Sequence, residues 1–141
     1  MKKKFITFAL LAGMSLTAIG AQHAFAKSPP SKNCHDDTFD LRFKQGNSYD
    51  ETDPQTKFSP SYIYFNTQYI SVGGVRIWAK AGSADASDGH SYVINSPGVT
   101  LLYNRVIEDH LSWWQEGVDT KVAASKNASS QMKGLWSPDY C

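Results

Sequence analysis

Glu108-Asp109-His110 and His35-Asp36-Asp37 are the places in this 141-residue chain where an imidazole stands beside carboxylates. Brought together, two histidines and several acids would suit a metal ion or general acid–base work. Adjacent residues on a helix point in different directions, however, so Glu108, Asp109 and His110 do not converge on one ion. Solvated charge on a helix face is the plainer expectation. The chain has no Gly-x-Ser-x-Gly elbow for a serine nucleophile and no glycine-rich loop of phosphate-cradling spacing. Asp50, Glu51, Asp53, Asp85 and Asp88 offer the hard oxygens calcium takes, but Asp85-Ala86-Ser87-Asp88-Gly89 lacks the downstream glutamate of a calcium loop. The residues therefore assign no catalytic, metal-ligating or cofactor-binding position, and the expectation is a non-enzymatic protein without a cofactor.

Cys34 and Cys141 are the two cysteines. Their spacing is not that of a redox or metal pair, so a disulfide is expected, clamping the two ends of the domain together. Pairing between chains remains the alternative, because a cysteine at an extreme terminus can reach another copy.

The aromatics are the other chemistry on offer. Tyr62, Tyr64, Tyr69, Trp78, Tyr92, Tyr103, Trp113 and Trp114 exceed what a small core hides in full. Trp78 falls with Arg76 and Lys80 in an alternating stretch, opposite Val75, Ile77 and Ala79. Trp113 and Trp114 are neighbours, so at most one of them points squarely inward. Packing is the leading explanation of these rings. As contact residues, Trp78, Trp113 and Trp114 would meet a glycan, a peptide or a membrane interface.

The elements that must position these groups begin after a leader. Lys2, Lys3 and Lys4 precede an apolar run from Phe5 to Gly20, and Ala24-Phe25-Ala26 supplies the small residues of a signal-peptidase site, which predicts cleavage before Lys27. Without the three leader lysines, 11 basic residues face 13 acidic ones, a formal net charge of −2. That balance argues against a nucleic-acid partner and against a polybasic membrane anchor. No later apolar run approaches the roughly 20 residues of a transmembrane helix. Release from the cell as an extracellular protein is the expectation.

Residues 27–37 read as an extended segment and residues 38–141 as a single β-rich domain. Phe39, Leu41 and Phe43 alternate with Asp40, Arg42 and Lys44, the pattern of a half-buried strand. Residues 45–57 read as a polar loop, and residues 61–70 as a second strand. Val72-Gly73-Gly74-Val75 suggests a tight hairpin turn into a third strand over 75–80. Short strands follow over 90–95 and 99–103. Residues 104–116 place Val106, Ile107, His110, Leu111 and Trp114 at helical spacing, with Asn104 as cap and Gly117 as stop. Residues 120–125 are either a last strand or loop, and the tail reads as a Ser-Pro-Asp turn beside Trp136, which plugs the end of the sandwich. The fold expected is an all-β antiparallel sandwich of about 5–7 strands with one short helix near 104–115.

Three short motifs stand out: Thr56-Lys57-Phe58-Ser59-Pro60-Ser61-Tyr62, Tyr103-Asn104-Arg105-Val106-Ile107-Glu108, and the terminal Gly134-Leu135-Trp136-Ser137-Pro138-Asp139. With the export signal and the Phe-x-Leu-x-Phe strand, they make the chain resemble a group of small secreted proteins of Gram-positive bacteria without assigned function. The resemblance implies a compact β-rich secreted domain and carries over no catalytic residue. The cysteines are not part of these motifs.

The functional expectation is a secreted, non-enzymatic binding module that meets an extracellular partner, whether glycan, protein or bacterial envelope. The alternative is a bacteriocin-like antagonist acting on the envelope of competing bacteria.

Overall fold

The computed structural model describes residues 32–110 and 116–141. The expected signal peptide, the first residues of the extended segment, the second half of the expected helix, and both Trp113 and Trp114 lie outside the described residues.

Period-two patterning makes the sheets. In β1 (Asp37–Phe43), Phe39, Leu41 and Phe43 are buried while the residues between them face water. β4 (Ile63–Ile70) buries Ile63, Phe65 and Thr67, and β5 (Val75–Ala81) buries Val75, Ile77, Ala79 and Ala81. Each large apolar side chain enclosed in this way is worth roughly 1.5–3 kcal/mol. The other strands among the described residues are β2 (Tyr49–Glu51), β3 (Gln55–Lys57), β6 (Ala84–Asp85), β7 (Tyr92–Ile94), β8 (Gly98–Leu102), β9 (Val118–Ser125) and β10 (Ser130–Ser137).

They form two sheets, antiparallel throughout, as an all-β sandwich requires. One runs β1-β10-β4-β8. The other runs β2-β9-β5-β6, with β3 also on β9 and β7 on β5. Phe39 and Phe65 stack at 4.3 Å between ring centres, and the main core continues through Leu41, Ile77, Val122, Met132 and Trp136. The strand count exceeds the sequence expectation in part because β2, β3 and β6 are only two or three residues long, too short for alternation to reveal.

Four local expectations change. The Gly73-Gly74 turn does not close a hairpin, because β4 and β5 lie in different sheets. Gly73 is needed because a Cβ there would come within 2.7 Å of the Asn95 carbonyl oxygen, and Gly74 adopts φ 84°. Where a three-turn helix was expected, the described residues hold a single 3-10 turn, Glu108–His110. Asn104 Oδ1 accepts from the Val106 N–H at 3.4 Å at the entry to this segment, while its amide nitrogen donates to the Ser61 and Leu102 carbonyls. The polar segment 45–57 carries two strands that lace the edge of β9.

The tail, finally, is the central strand β10. Ser130, Met132, Gly134 and Trp136 face inward, an alternation masked by Ser, Gln, Lys and Gly. Gly134 sits at a register shift where a Cβ would stand 1.9 Å from the Asn66 carbonyl oxygen, so no other residue fits without moving the strand.

Cys34 and Cys141 form one intramolecular disulfide, with Cα atoms 5.9 Å apart across 107 residues, a separation normal for such bridges. Among the described residues no helix is long and apolar enough to cross a membrane.

Candidate functional site

β3 ends at Lys57, and the chain then turns through Phe58-Ser59-Pro60-Ser61 into β4. β10 ends at Ser137, and Pro138 carries the chain to Asp139. These two exits meet. Lys57 and Asp139 are both fully enclosed, with Nζ 3.1 Å from Oδ1. A buried pair of this kind is tolerated only when its remaining protons and lone pairs are matched, and here they are. Lys57 Nζ donates to the Ser61 carbonyl at 2.6 Å and the Pro138 carbonyl at 2.5 Å besides Asp139. Asp139 Oδ1 accepts from the Ser59 N–H at 3.1 Å and from the Ser59 and Ser61 hydroxyls at 2.7 and 3.2 Å. Its Oδ2 accepts from the N–H groups of Asn33 at 2.7 Å and Phe58 at 3.0 Å.

Burial pushes the Lys57 ammonium down to about 8, against the pull of Asp139. Burial would raise the Asp139 carboxyl, but Lys57 and the donors from Asn33, Ser59 and Phe58 outweigh it and hold the group below its ordinary value. Lys57 stands 3.4 Å from Ser61 Oγ, the residue types of a serine–lysine nucleophile pair. A general base needs a neutral amine with a lone pair aimed at the hydroxyl. Nζ instead faces three strong acceptors, the full complement of an ammonium, and both serine hydroxyls already donate to Asp139. The cluster has the geometry of a latch that fixes the 58–62 turn against the C-terminal segment.

On the outer side of that turn lies a shallow pocket of about 220 Å³ lined by Pro60, Ser61, Tyr62, Tyr103, Asn104 and Glu108. Tyr62 is 49 % exposed, and its ring meets that of Tyr103 edge-on at 6.4 Å. Tyr103 follows β8, and its N–H donates to Tyr92 Oη at 3.0 Å. His90 packs on the Tyr103 ring at 4.4 Å. The Asn104 amide donates to the Ser61 carbonyl at 2.9 Å and the Leu102 carbonyl at 3.3 Å, tying the 103–108 segment to the latch. Glu108, at the start of the 3-10 turn, presents an exposed carboxylate at the rim. The three motifs singled out in the sequence therefore converge on one place.

The residues first considered for chemistry do not converge. Asp109 pairs with Arg105 at 3.1 Å, and His110 Nδ1 lies 2.9 Å from the Val106 carbonyl. His35 pairs with Asp37 at 3.8 Å on the surface. Three of the five loop acids are tied to the protein itself. Asp85 accepts from the Ser87 N–H and hydroxyl, Asp50 from the N–H groups of Arg42 and Glu51, and Glu51 pairs with Lys80 and Lys121. No cluster of three metal-ligating side chains occurs among the described residues.

Trp78 is half-buried on β5, in the other sheet, with its ring 6.1 Å from that of Tyr49 and Arg76 beside it in a second shallow depression. Lys57, Ser59, Ser61 and Asp139 were not recognisable as partners from the sequence, since a lysine and an aspartate so far apart carry no spacing signal. Two of the four Ser-Pro steps in the sequence, 59–60 and 137–138, lie beside these residues, but nothing local separates them from the step at 96–97.

The chain belongs to the family described as "Protein of unknown function (DUF2712)", whose profile matches residues 22–140. No curated protein and no solved structure matches it.

Proposed function

We propose that this member of the DUF2712 family is a secreted, non-enzymatic binding module. Its contact site is the Tyr62–Tyr103–Asn104–Glu108 pocket, and its partner is a component of a bacterial cell surface or another extracellular molecule. The observation that carries this reading is the convergence of two separated motifs, 56–62 and 103–108, on one solvent-facing pocket with the exposed Tyr62 ring and the half-buried Tyr103 ring. A buried ion-pair latch lies directly behind it. Small sites of this kind combine apolar rings with a few placed polar groups. At about 220 Å³ the pocket is smaller than the roughly 300–1,000 Å³ of sites that enclose a drug-sized ligand. It therefore suits one head group or side chain of a larger partner. The disulfide and the leader sequence support export into an oxidising space.

Incubating intact Gram-positive cells with the oxidised protein tests the reading, with bound protein and entry of a membrane-impermeant dye scored together. Retention without dye entry is the expected result. Dye entry at submicromolar protein would make the protein an envelope-active antagonist instead, and absence of retention on every strain would remove the cell surface as partner.

A further inference from the structure

The polar groups of the pocket wall are mostly spent inside the protein. The Asn104 amide nitrogen is bonded to two carbonyls, and its Oδ1 accepts from the Val106 N–H at 3.4 Å. The Ser61 carbonyl takes Lys57 Nζ and the Asn104 amide, and Ser61 Oγ is shared among Lys57, Ser59, Asp139 and the Tyr140 N–H. What remains for a ligand is the exposed Tyr62 ring, the half-buried Tyr103 ring with His90 packed against it at 4.4 Å, and the Glu108 carboxylate. Glu108 makes no ion pair among the described residues, and Arg105, three positions before it, is paired with Asp109. No basic side chain lines the pocket, and Lys57 behind its wall is matched by Asp139. A neutral sugar would find the Tyr62 and Tyr103 hydroxyls and the Glu108 carboxylate as partners, with the Asn104 and Ser61 groups already engaged. An anion would meet Glu108. Ring faces beside an unpaired carboxylate are the surroundings an organic cation favours.

We infer that the Tyr62–Tyr103–Glu108 pocket binds an organic ammonium group, the charged head of an amine-bearing surface polymer or side chain. The inference rests on the pocket being the binding site of the module. The ring faces supply cation–π attraction and Glu108 supplies the counter-charge.

The test is a titration of the disulfide-bonded protein with choline, with its uncharged tert-butyl isostere and with N-acetylglucosamine, followed by NMR shifts of the tyrosine rings and backbone amides. Choline is expected to shift Tyr62, Tyr103 and Glu108 saturably. Its affinity should fall about tenfold in Glu108→Gln and about three- to tenfold in Tyr62→Ala, with the remaining spectrum of each variant unchanged. Equal binding of the uncharged isostere, or binding of the sugar alone, would overturn the ammonium assignment and leave the pocket as the site. No shift at the pocket with any of the three probes would overturn both the ligand class and the site.

Discussion

Lys57 and Asp139 stand 82 residues apart in the sequence and 3.1 Å apart in the fold, with no water-accessible surface on either side chain. Breaking such a pair from one side leaves an uncompensated buried charge, a cost of about 3–5 kcal/mol. Asp139→Asn is the worse change, since an amide cannot accept from all the donors of Asn33, Phe58 and Ser59 as well as Lys57. Lys57→Met leaves the carboxylate with those backbone donors and should cost less. In urea unfolding, Asp139→Asn is expected to destabilise more than Lys57→Met, and the double variant to lose less than the sum of the two. Strict additivity would mean that the two groups do not interact.

The disulfide and the latch hold the same ends of the chain. Asn33, beside Cys34, bonds both Asp139 and the Thr56 carbonyl. Closing a loop of this length has an upper worth of about 4–5 kcal/mol. With the latch in place, Cys34→Ser is expected to lower stability by about 2–4 kcal/mol while the folded spectrum persists in reducing buffer. Identical melting of the parent protein with and without reductant would remove the bridge from the account.

Glu51 sets an acid limit. Hydrogen bonds from Lys121, Lys80 and Tyr49 lower its carboxyl from 4.5 to about 2. The folded state therefore keeps the charge where the unfolded chain takes up a proton. The stabilisation is complete above pH 4.5 and drains away as the pH falls toward 2, amounting to about 1–2 kcal/mol once solvent screening is allowed for. Asp40, lowered to about 2 by Arg42 and Gln131, titrates in the same window. Glu51→Gln should flatten the slope of unfolding free energy between pH 4.5 and 2 without abolishing it. An unchanged slope would contradict the assignment.

Gly134→Ala is expected to cost more than about 3 kcal/mol, because the new methyl meets the Asn66 carbonyl oxygen and Phe39 Cζ. Gly82→Ala is the comparison. Gly82 has φ 56° and open space around its Cβ position, so only the backbone penalty of about 1 kcal/mol applies. Equal losses in thermal unfolding would show that the close approach at Gly134 is not what fixes it.

Much of the sandwich was legible because alternation is a direct consequence of a strand having one buried face. Phe39-x-Leu41-x-Phe43 and Val75-x-Ile77-x-Ala79 announce themselves in this way. β10 did not, since two of its inward positions are Ser130 and Gly134, which carry no hydrophobic signal. The helix expected over 104–116 rested on spacing, with Asn104 as cap and Gly117 as stop. In the fold the Asn104 amide bonds across to Ser61, and among the described residues of this stretch Glu108–His110 form the one 3-10 turn. The site was half visible. Tyr62 and Tyr103 stood out as surplus aromatics, whereas the Lys57–Asp139 pair depends on long-range topology that no local pattern encodes.

The central claim is that the Tyr62–Glu108 pocket, and not the Trp78 face of the other sheet, makes the contact. Retention on Gram-positive cells of the parent protein, the Tyr62→Ala/Glu108→Gln double variant and Trp78→Ala tests this most directly, with melting curves of all three. The account predicts that the double variant loses about tenfold or more of its retention at an unchanged melting temperature, while Trp78→Ala binds as the parent does. Full retention of the double variant, or loss confined to a folded Trp78→Ala protein, would contradict it.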